Sequence, residues 1–596
     1  MDIIHGIKVD YSRDNLFDEL GKIRLKESYM RDEEVSPQER FAYVSKTFSS
    51  SPEHAQRLYE YSSKHWLSYS TPILSFGRSR RGLPISCFLP YLHDSAEGLV
   101  DCLSEVNWLS MLGGGIGIGL GIRSADDKST GIMPHLRTYD ASSLAYRQGR
   151  TRRGSYAAYL DVSHPDIHLF LEMRKPTGDP NMRALNLHHG VNITDEFMNI
   201  IEKCMLDPNA DDSWQLIDPH NGEVRDTISA RELWQRILET RMLTGEPYIH
   251  FIDTSNRHLP WFQKAKGLSI KQSNLCSEIV LPTDKDRTAV CCLSSLNLEY
   301  YDDWKDNEHF LRDVAEMLDN VLQYFIDNAP DSISRARYSA TMERSIGIGA
   351  LGFHAYLQKK NIPWESSLAV SVNKRIFNNI RGKLDVANKE LGTERGEAPD
   401  CAGSGNRFAH LMAIAPNASS SIIMGNTSPS VEPYRANAYR QDTLSGSFLN
   451  KNKFLDKIIK EKVDEQSVDY QDIWSSIIAN DGSVQHLRIL SDWEKDVFKT
   501  SMEIDQRWIV EHASHRQSFI DQAQSINLFF RPDVDIKYLH AVHFQAWKQG
   551  LKTLYYCRSE KLAKADKVSN KIERNIIQEI DLKALAEGEN CLACEG

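Results

Sequence analysis

The chain has 596 residues, of which 41% are hydrophobic and 26% charged, with a formal net charge of −11. That is the composition of a soluble globular protein with ample material for a large core. The negative balance argues against non-specific binding of DNA or RNA, which needs a positive field, and ten cysteines in this length are too few for a disulfide scaffold.

The N-terminal stretch MDIIHGIKVDYSRDNLFDEL lacks a basic segment followed by an apolar one, so it does not read as a signal peptide. No apolar run approaches the roughly 20 residues needed to span a bilayer. The expectation is a cytoplasmic protein with no membrane and no nucleic-acid partner, whose cysteines are mostly reduced thiols. Residues 14–66 predict charged, amphipathic helices, and Thr71-Pro72 breaks that pattern because proline steers the preceding residue out of the helical region.

From there to about residue 560, short apolar runs alternate with helical stretches. PISCFLPYL (84–92), SEIVLP (277–282), TAVCCLSSLNL (288–298) and LKTLYYC (551–557) predict strands; residues 310–329 and 369–391 predict helices. Such alternation predicts α/β architecture with a mostly parallel sheet. No Pro/Gly/Ser-rich linker divides the segment, so residues 71–560 are expected to form one barrel or sheet domain after a helical region, 1–70. Past Tyr556 the chain is charge-dense and poor in aromatics, which predicts a flexible tail over 561–596. It ends ENCLACEG, with Cys591 and Cys594 in C-x-x-C spacing.

Three stretches resemble cofactor motifs and fail on spacing. The glycines of GGGIGIGLG (113–121) alternate and never meet the G-x-G-x-x-G register; GRTRRGS (149–155) has no lysine before its serine; NLHHGVN (186–192) lacks the acidic pairing of a zinc site. No metal ligand set is expected. The stretch SNLCSEIVLP (273–282) is more informative. On a regular strand alternate side chains share a face, so Asn274, Cys276 and Glu278 would form one row of amide, thiol and carboxylate. By itself such a row is ordinarily a strand end emerging into solvent. Single cysteines in further strand-like runs (Cys87, and Cys291 beside Cys292) add a thiol-redox reading, with the terminal C-x-x-C as mobile reductant.

These residues resemble the catalytic large subunit of class I ribonucleotide reductase. The match covers roughly 60–596 and consists of ordered motifs: TPIL (71–74), SCFL (86–89), GGGIGI (113–118), NLCSEI (274–279), CxLSxxNL (291–298), MERSIGIGALGFHAYL (342–357), PNASSSIIMGNTSPSVEP (416–433), LYY (554–556) and the terminal CxxC. The resemblance implies a ten-stranded α/β barrel with a central finger loop. It implies Cys276 as the thiyl radical that takes the 3′-hydrogen of a ribonucleoside diphosphate, Glu278 as general base and Asn274 as a ribose contact. Cys87 and Cys291 match the reducing pair, oxidised as the 2′-OH leaves; Cys292, Cys102, Cys204, Cys401 and Cys557 are read as buried fillers. Cys591 and Cys594 match the tail pair that re-reduces the barrel disulfide and is itself reduced by thioredoxin or glutaredoxin.

Ser419 and Ser420 of PNASSSI match the diphosphate-binding loop, with Thr71 and Gly115 lining the rest of the nucleotide site. Tyr555 and Tyr556, which taken alone would be ordinary core residues, resemble the stacked pair that receives an oxidising equivalent from a metal-containing small subunit. No cofactor is then expected on this chain itself. Asp94, Arg123, Gln148 and Arg152 fall where the family binds and reports dNTP or ATP specificity effectors, at the interface of an effector-promoted homodimer. Nothing before Cys87 resembles the family's ATP-cone, so a short form without it is expected, one that suits a viral or otherwise streamlined genome and a host cytoplasm. The alternatives are an adenosylcobalamin-dependent reductase on the same barrel, against which the tyrosine pair speaks, and a non-catalytic nucleotide-binding regulator, which would have lost some of these residues.

Overall fold

The computed structural model describes residues 2–78, 82–146, 154–443, 446–466 and 469–559. Its centre is built from two groups of parallel strands. In the first, Cys87–Leu89, Gly115–Gly121, Tyr156–Asp161, Leu187–Ile193 and Tyr248–Phe251 lie side by side in that order. Almost entirely buried, these strands are rich in apolar and small residues, as parallel strands flanked by helices are.

The second group begins with Leu293–Asn297 alongside Gly347–Leu351. Parallel bridges Ile348 to Met412 and Ile414 to Gln524 continue it, and Leu528–Phe530 pairs in parallel with Cys557–Ser559. Antiparallel seams join the two groups at both edges. At one, Ala289–Cys291 runs against Cys87–Leu89; at the other, Thr553–Leu554 runs against Tyr248–Phe251. With both edges paired, the two groups form the wall of an α/β barrel.

Helices cover the barrel. Proline at the first turn and Ser36 or Ser51 as cap start Pro37–Thr47 and Pro52–Ser63. These N-terminal helices share one continuous apolar core with the barrel and with the helices Phe310–Asn328 and Ser367–Arg395. The helical run ends at Ser63 and the strand Leu67–Tyr69 follows; Thr71–Leu74 is then a single turn with the proline near its start, where a missing N–H costs nothing. A satellite core over 438–498, around Leu455, Trp474 and Ile477, packs separately. No helix among the described residues is long and apolar enough to cross a membrane.

Candidate active site

The alternating glycines of 113–121 are explained by what lies inside the barrel. They form the strand Gly115–Gly121, and a Cβ on Gly117 would come within 2.5 Å of Ser273 O and 2.7 Å of Asn274 Cα; one on Gly119 would meet the Gln272 side chain at 2.6 Å. The glycines clear a groove for the loop 272–283, every residue of which is buried.

That loop is not the expected strand. Residues 275–277 turn, Ser277 has φ +68°, and the stretch 277–282 makes only an isolated bridge from Pro282 to Ile270. A left-handed serine costs about 1–2 kcal/mol, so neighbours must enforce it. Tyr159 donates to Asn274 O at 2.6 Å and stands 3.2 Å from Ser277 Oγ, while Thr553 donates to Ser277 O at 2.6 Å. The turn, rather than strand alternation, gathers the polar side chains. Asn274 Nδ2 donates to Glu278 Oε2 at 2.9 Å and lies 3.5 Å from Cys87 Sγ.

Glu278 is fully buried, and burial pushes its carboxyl up to about 7 against the opposing hydrogen bonds from Asn274 and Ser525. Its Oε1 has no hydrogen-bond partner among the described residues. A carboxyl poised near neutrality with one free oxygen suits a general base.

The two seams supply the remaining groups. At the first, Cys87 stands directly opposite Cys291. Direct antiparallel neighbours hold their Cβ atoms about 4.5–5.5 Å apart, a small adjustment from disulfide spacing. Cys292 faces the other way, 3.6 Å from Leu318 O in the main core. Cys102, Cys204, Cys401 and Cys557 are buried as well.

At the second seam, between Leu554 and Cys557, sit Tyr555 and Tyr556. Their ring centroids are 4.3 Å apart, and the Tyr555 hydroxyl lies 3.6 Å from Cys276 Sγ. Burial raises both phenols, Tyr555 well above its ordinary value. Neutral phenols in an apolar wall must lose electron and proton together, since a bare charge there is costly. The loop thus spans the barrel from one seam to the other, reaching Cys87 through Asn274 and Tyr555 through Cys276.

Three features of this wall had no sequence signal that was read. Tyr248 wedges against both tyrosines, at 4.9 and 5.1 Å between centroids. His188 Nδ1 lies 3.4 Å from the Tyr556 hydroxyl and also bonds Glu246, which His189 bonds at 3.0 Å. Burial alone would raise the Glu246 carboxyl, but Arg174 and the histidines hold it well below its ordinary value. The histidine pair of NLHHGVN is therefore tied to a carboxylate from the turn before the neighbouring strand, an arrangement invisible to a search for metal spacing. Arg558 lies over the Tyr556 ring at 4.1 Å.

The nucleotide candidates occupy the barrel's strand ends. Gly115 is in register with Cys87. Thr71 is nearly buried, its hydroxyl 3.3 Å from Tyr29. Ser419 and Ser420 lie in the first turn of the helix Ala418–Ile423, whose cap Asn417 (φ +57°) is pinned by bonds to Ser295, Ala350 and Ala415. Farther along, Arg123 Nε donates to Asp94 at 2.8 Å, and His220 shares that carboxylate at 3.0 Å. Gln148, Arg152, Cys591 and Cys594 lie outside the described residues.

Known proteins are similar to the chain over nearly its whole length. Residues 15–82 match the family model "Ribonucleotide reductase, all-alpha domain", and residues 85–404 and 398–557 match "Ribonucleotide reductase, barrel domain". The chain is 57% identical to the ribonucleoside-diphosphate reductase large subunit of Invertebrate iridescent virus 3, over 94% of this chain and 97% of that protein. It is 31% identical to the Caenorhabditis elegans large subunit, over 90% and 75% respectively. The solved structure of the Actinobacillus ureae class Id ribonucleotide reductase alpha subunit superposes with a TM-score of 0.80 at 34% identity, covering 93% of this chain and 98% of that one.

Proposed function

The chain belongs to the ribonucleotide reductase large subunits, the catalytic subunits that make deoxyribonucleotides, and we propose that it reduces ribonucleoside diphosphates by a thiyl-radical route through the residues described above. The observation that carries this reading is the unbroken line from Tyr556 through Tyr555 to Cys276, with 3.6 Å as its last step. A separate small subunit, which holds the metal, oxidises Tyr556; the hole passes to Tyr555 and then to Cys276, which yields a hydrogen atom to the Tyr555 oxygen and becomes a thiyl radical.

Cys276 takes the 3′-hydrogen of the sugar while Glu278 takes the 3′-OH proton and Asn274 holds the hydroxyls. The 2′-OH leaves as water with a proton from the Cys87–Cys291 pair. The two thiols end as a disulfide, having supplied two electrons, and Cys276 returns its hydrogen to C3′. Ser419 and Ser420 bind the diphosphate through a helix start, with Thr71 and Gly115 completing the nucleotide site. Cys591 and Cys594 re-reduce the pair and pass the oxidation to thioredoxin or glutaredoxin. Asp94, Arg123, Gln148 and Arg152 form the site for a dNTP or ATP effector, which promotes a homodimer. The cytoplasm, of a host cell if the chain is viral like its iridescent-virus relative, keeps these thiols reduced.

The test is reduction of CDP or GDP by the purified chain with a metal-loaded small subunit, set against the chain with adenosylcobalamin alone. Turnover only with the small subunit is expected; turnover with cobalamin and no partner overturns the two-subunit reading.

A further inference from the structure

The turn that carries Cys276 and Glu278 is held from the second half-barrel by residues 523–525. Ala523 N donates to Glu278 O at 2.9 Å, and Ser525 N donates to Ile414 O at 2.9 Å, which fixes this segment to the barrel wall. Ser525 is completely buried. Its hydroxyl donates to Cys276 O at 2.5 Å and lies 3.3 Å from Glu278 Oε2. One side chain therefore touches both the backbone of the cysteine and the carboxylate two residues on, across a strained serine.

We propose that Ser525 is a positioning residue for Glu278, holding the Oε2 edge together with Asn274 so that Oε1 faces the reacting sugar. This rests on the reading of Glu278 as the base. A serine hydroxyl has one hydrogen and two lone pairs. While Glu278 is ionised, Ser525 shares its hydrogen between Cys276 O and Oε2. Once Glu278 has taken the sugar's proton on Oε1, Oε2 is still an acceptor, so Ser525 goes on sharing its hydrogen between Cys276 O and Oε2 beside the Asn274 amide. Both protonation states are served without moving a heavy atom, so the base stays aligned through the proton transfer.

The groups facing Glu278 are Asn274 and Ser525, with the sulfur of Cys87 on Asn274's far side and Cys276 and Tyr159 close by. The shift of its carboxyl is governed by burial and these hydrogen bonds, with no charged neighbour among the described residues contributing. Removing the Ser525 donor should then raise the carboxyl further.

The experiment measures kcat and KM against pH for the complete two-subunit enzyme carrying Glu278→Gln, Ser525→Ala or Ser525→Thr. Ser525→Ala is expected to lower kcat by about tenfold to a hundredfold, the scale of a misaligned catalytic group, with KM little changed. It should also move the acid limb of kcat to higher pH, and Ser525→Thr should keep the limb near its original place. If Glu278→Gln retains turnover and the acid limb, the base reading falls. If Glu278→Gln loses both while Ser525→Ala leaves the limb unmoved, whatever its kcat, the positioning role alone is overturned.

Discussion

The hydroxyl of Tyr555 lies 3.6 Å from Sγ of Cys276, although 279 residues separate them in the chain. Two constraints produce that contact. The antiparallel seam fixes Thr553 and Leu554 against His250 and Ile249, and Thr553 in turn bonds the carbonyl of Ser277. The tyrosine and the cysteine are thus placed by one short strand that grips both the barrel edge and the loop. Tyr555→Phe removes the oxygen proposed to take a hydrogen atom from the thiol and keeps the packing. Turnover should fall by at least about a thousandfold, the loss expected when a sole proton-transfer group is removed, with nucleotide binding intact by calorimetry. A variant that keeps a tenth of the wild-type rate removes Tyr555 from the relay.

Glu278 links function to stability in a way that can be read without turnover. Its folded-state carboxyl sits near 7, above the ordinary 4.5, because burial disfavours the anion. The folded protein therefore holds that proton more tightly than the unfolded chain does. This contribution is greatest below the unfolded value, is lost as pH rises between 4.5 and 7, and stays lost above. At alkaline pH the penalty is up to about 3 kcal/mol, from 1.36 kcal/mol per unit. Glu278→Gln should raise the alkaline Tm while abolishing turnover, and should give little stability gain in acid. Equal or lower Tm at alkaline pH would show that the buried anion is not strained.

Much of this site was legible in short stretches and some of it could not be. The cysteines and the serine loop carry chemistry in their residue types, whereas the tyrosine pair reads as ordinary core and is singled out only by the family resemblance. The turn at Asn274–Ser277 is different. It is enforced by Tyr159, Thr553 and Ala523, from segments more than a hundred residues away, and the local pattern alone reads as a strand. The alternating glycines were visible but mute, because their reason is the loop that crosses them. His188, Tyr248 and Ser525 belong to runs that look like ordinary strand or core, and only closure of the barrel brings them to the site.

The glycine groove makes a separate prediction. A methyl at Gly117 meets the backbone of Ser273 and Asn274, atoms that cannot yield without moving the loop. Gly117→Ala should cost about 1–3 kcal/mol, as overpacked sites do, and reduce turnover by about a hundredfold through displacement of Asn274 and Cys276. Gly382→Ala, in the helix Ser367–Arg395 with nothing within 4 Å of the added carbon, should instead stabilise by about 0.5–1 kcal/mol from helix propensity alone. Thermal unfolding and rate measured on both variants separate the two effects. An active, stable Gly117→Ala would mean that the loop has room the structure does not give it.

The seam that pairs Cys87 with Cys291 sets the requirement for the terminal cysteines. Both are essentially inaccessible, at 0% and 1% exposure, so no protein reductant can reach a disulfide between them. The proposed role of Cys591 and Cys594, about 35 residues beyond Tyr556 in the sequence, is to bring a thiolate to that buried pair. Cys591→Ser and Cys594→Ser should therefore complete one turnover on pre-reduced enzyme, at close to the wild-type yield of deoxynucleotide per active site, and then stop with thioredoxin as reductant. Thiol titration after that turnover should find two fewer thiols, and Cys87→Ser or Cys291→Ser should remove the loss along with the product. A small dithiol that enters the barrel without the tail should restore repeated turnover to the Cys591→Ser and Cys594→Ser variants only. If those variants fail in the first turnover, the terminal pair acts within the reaction itself rather than between cycles.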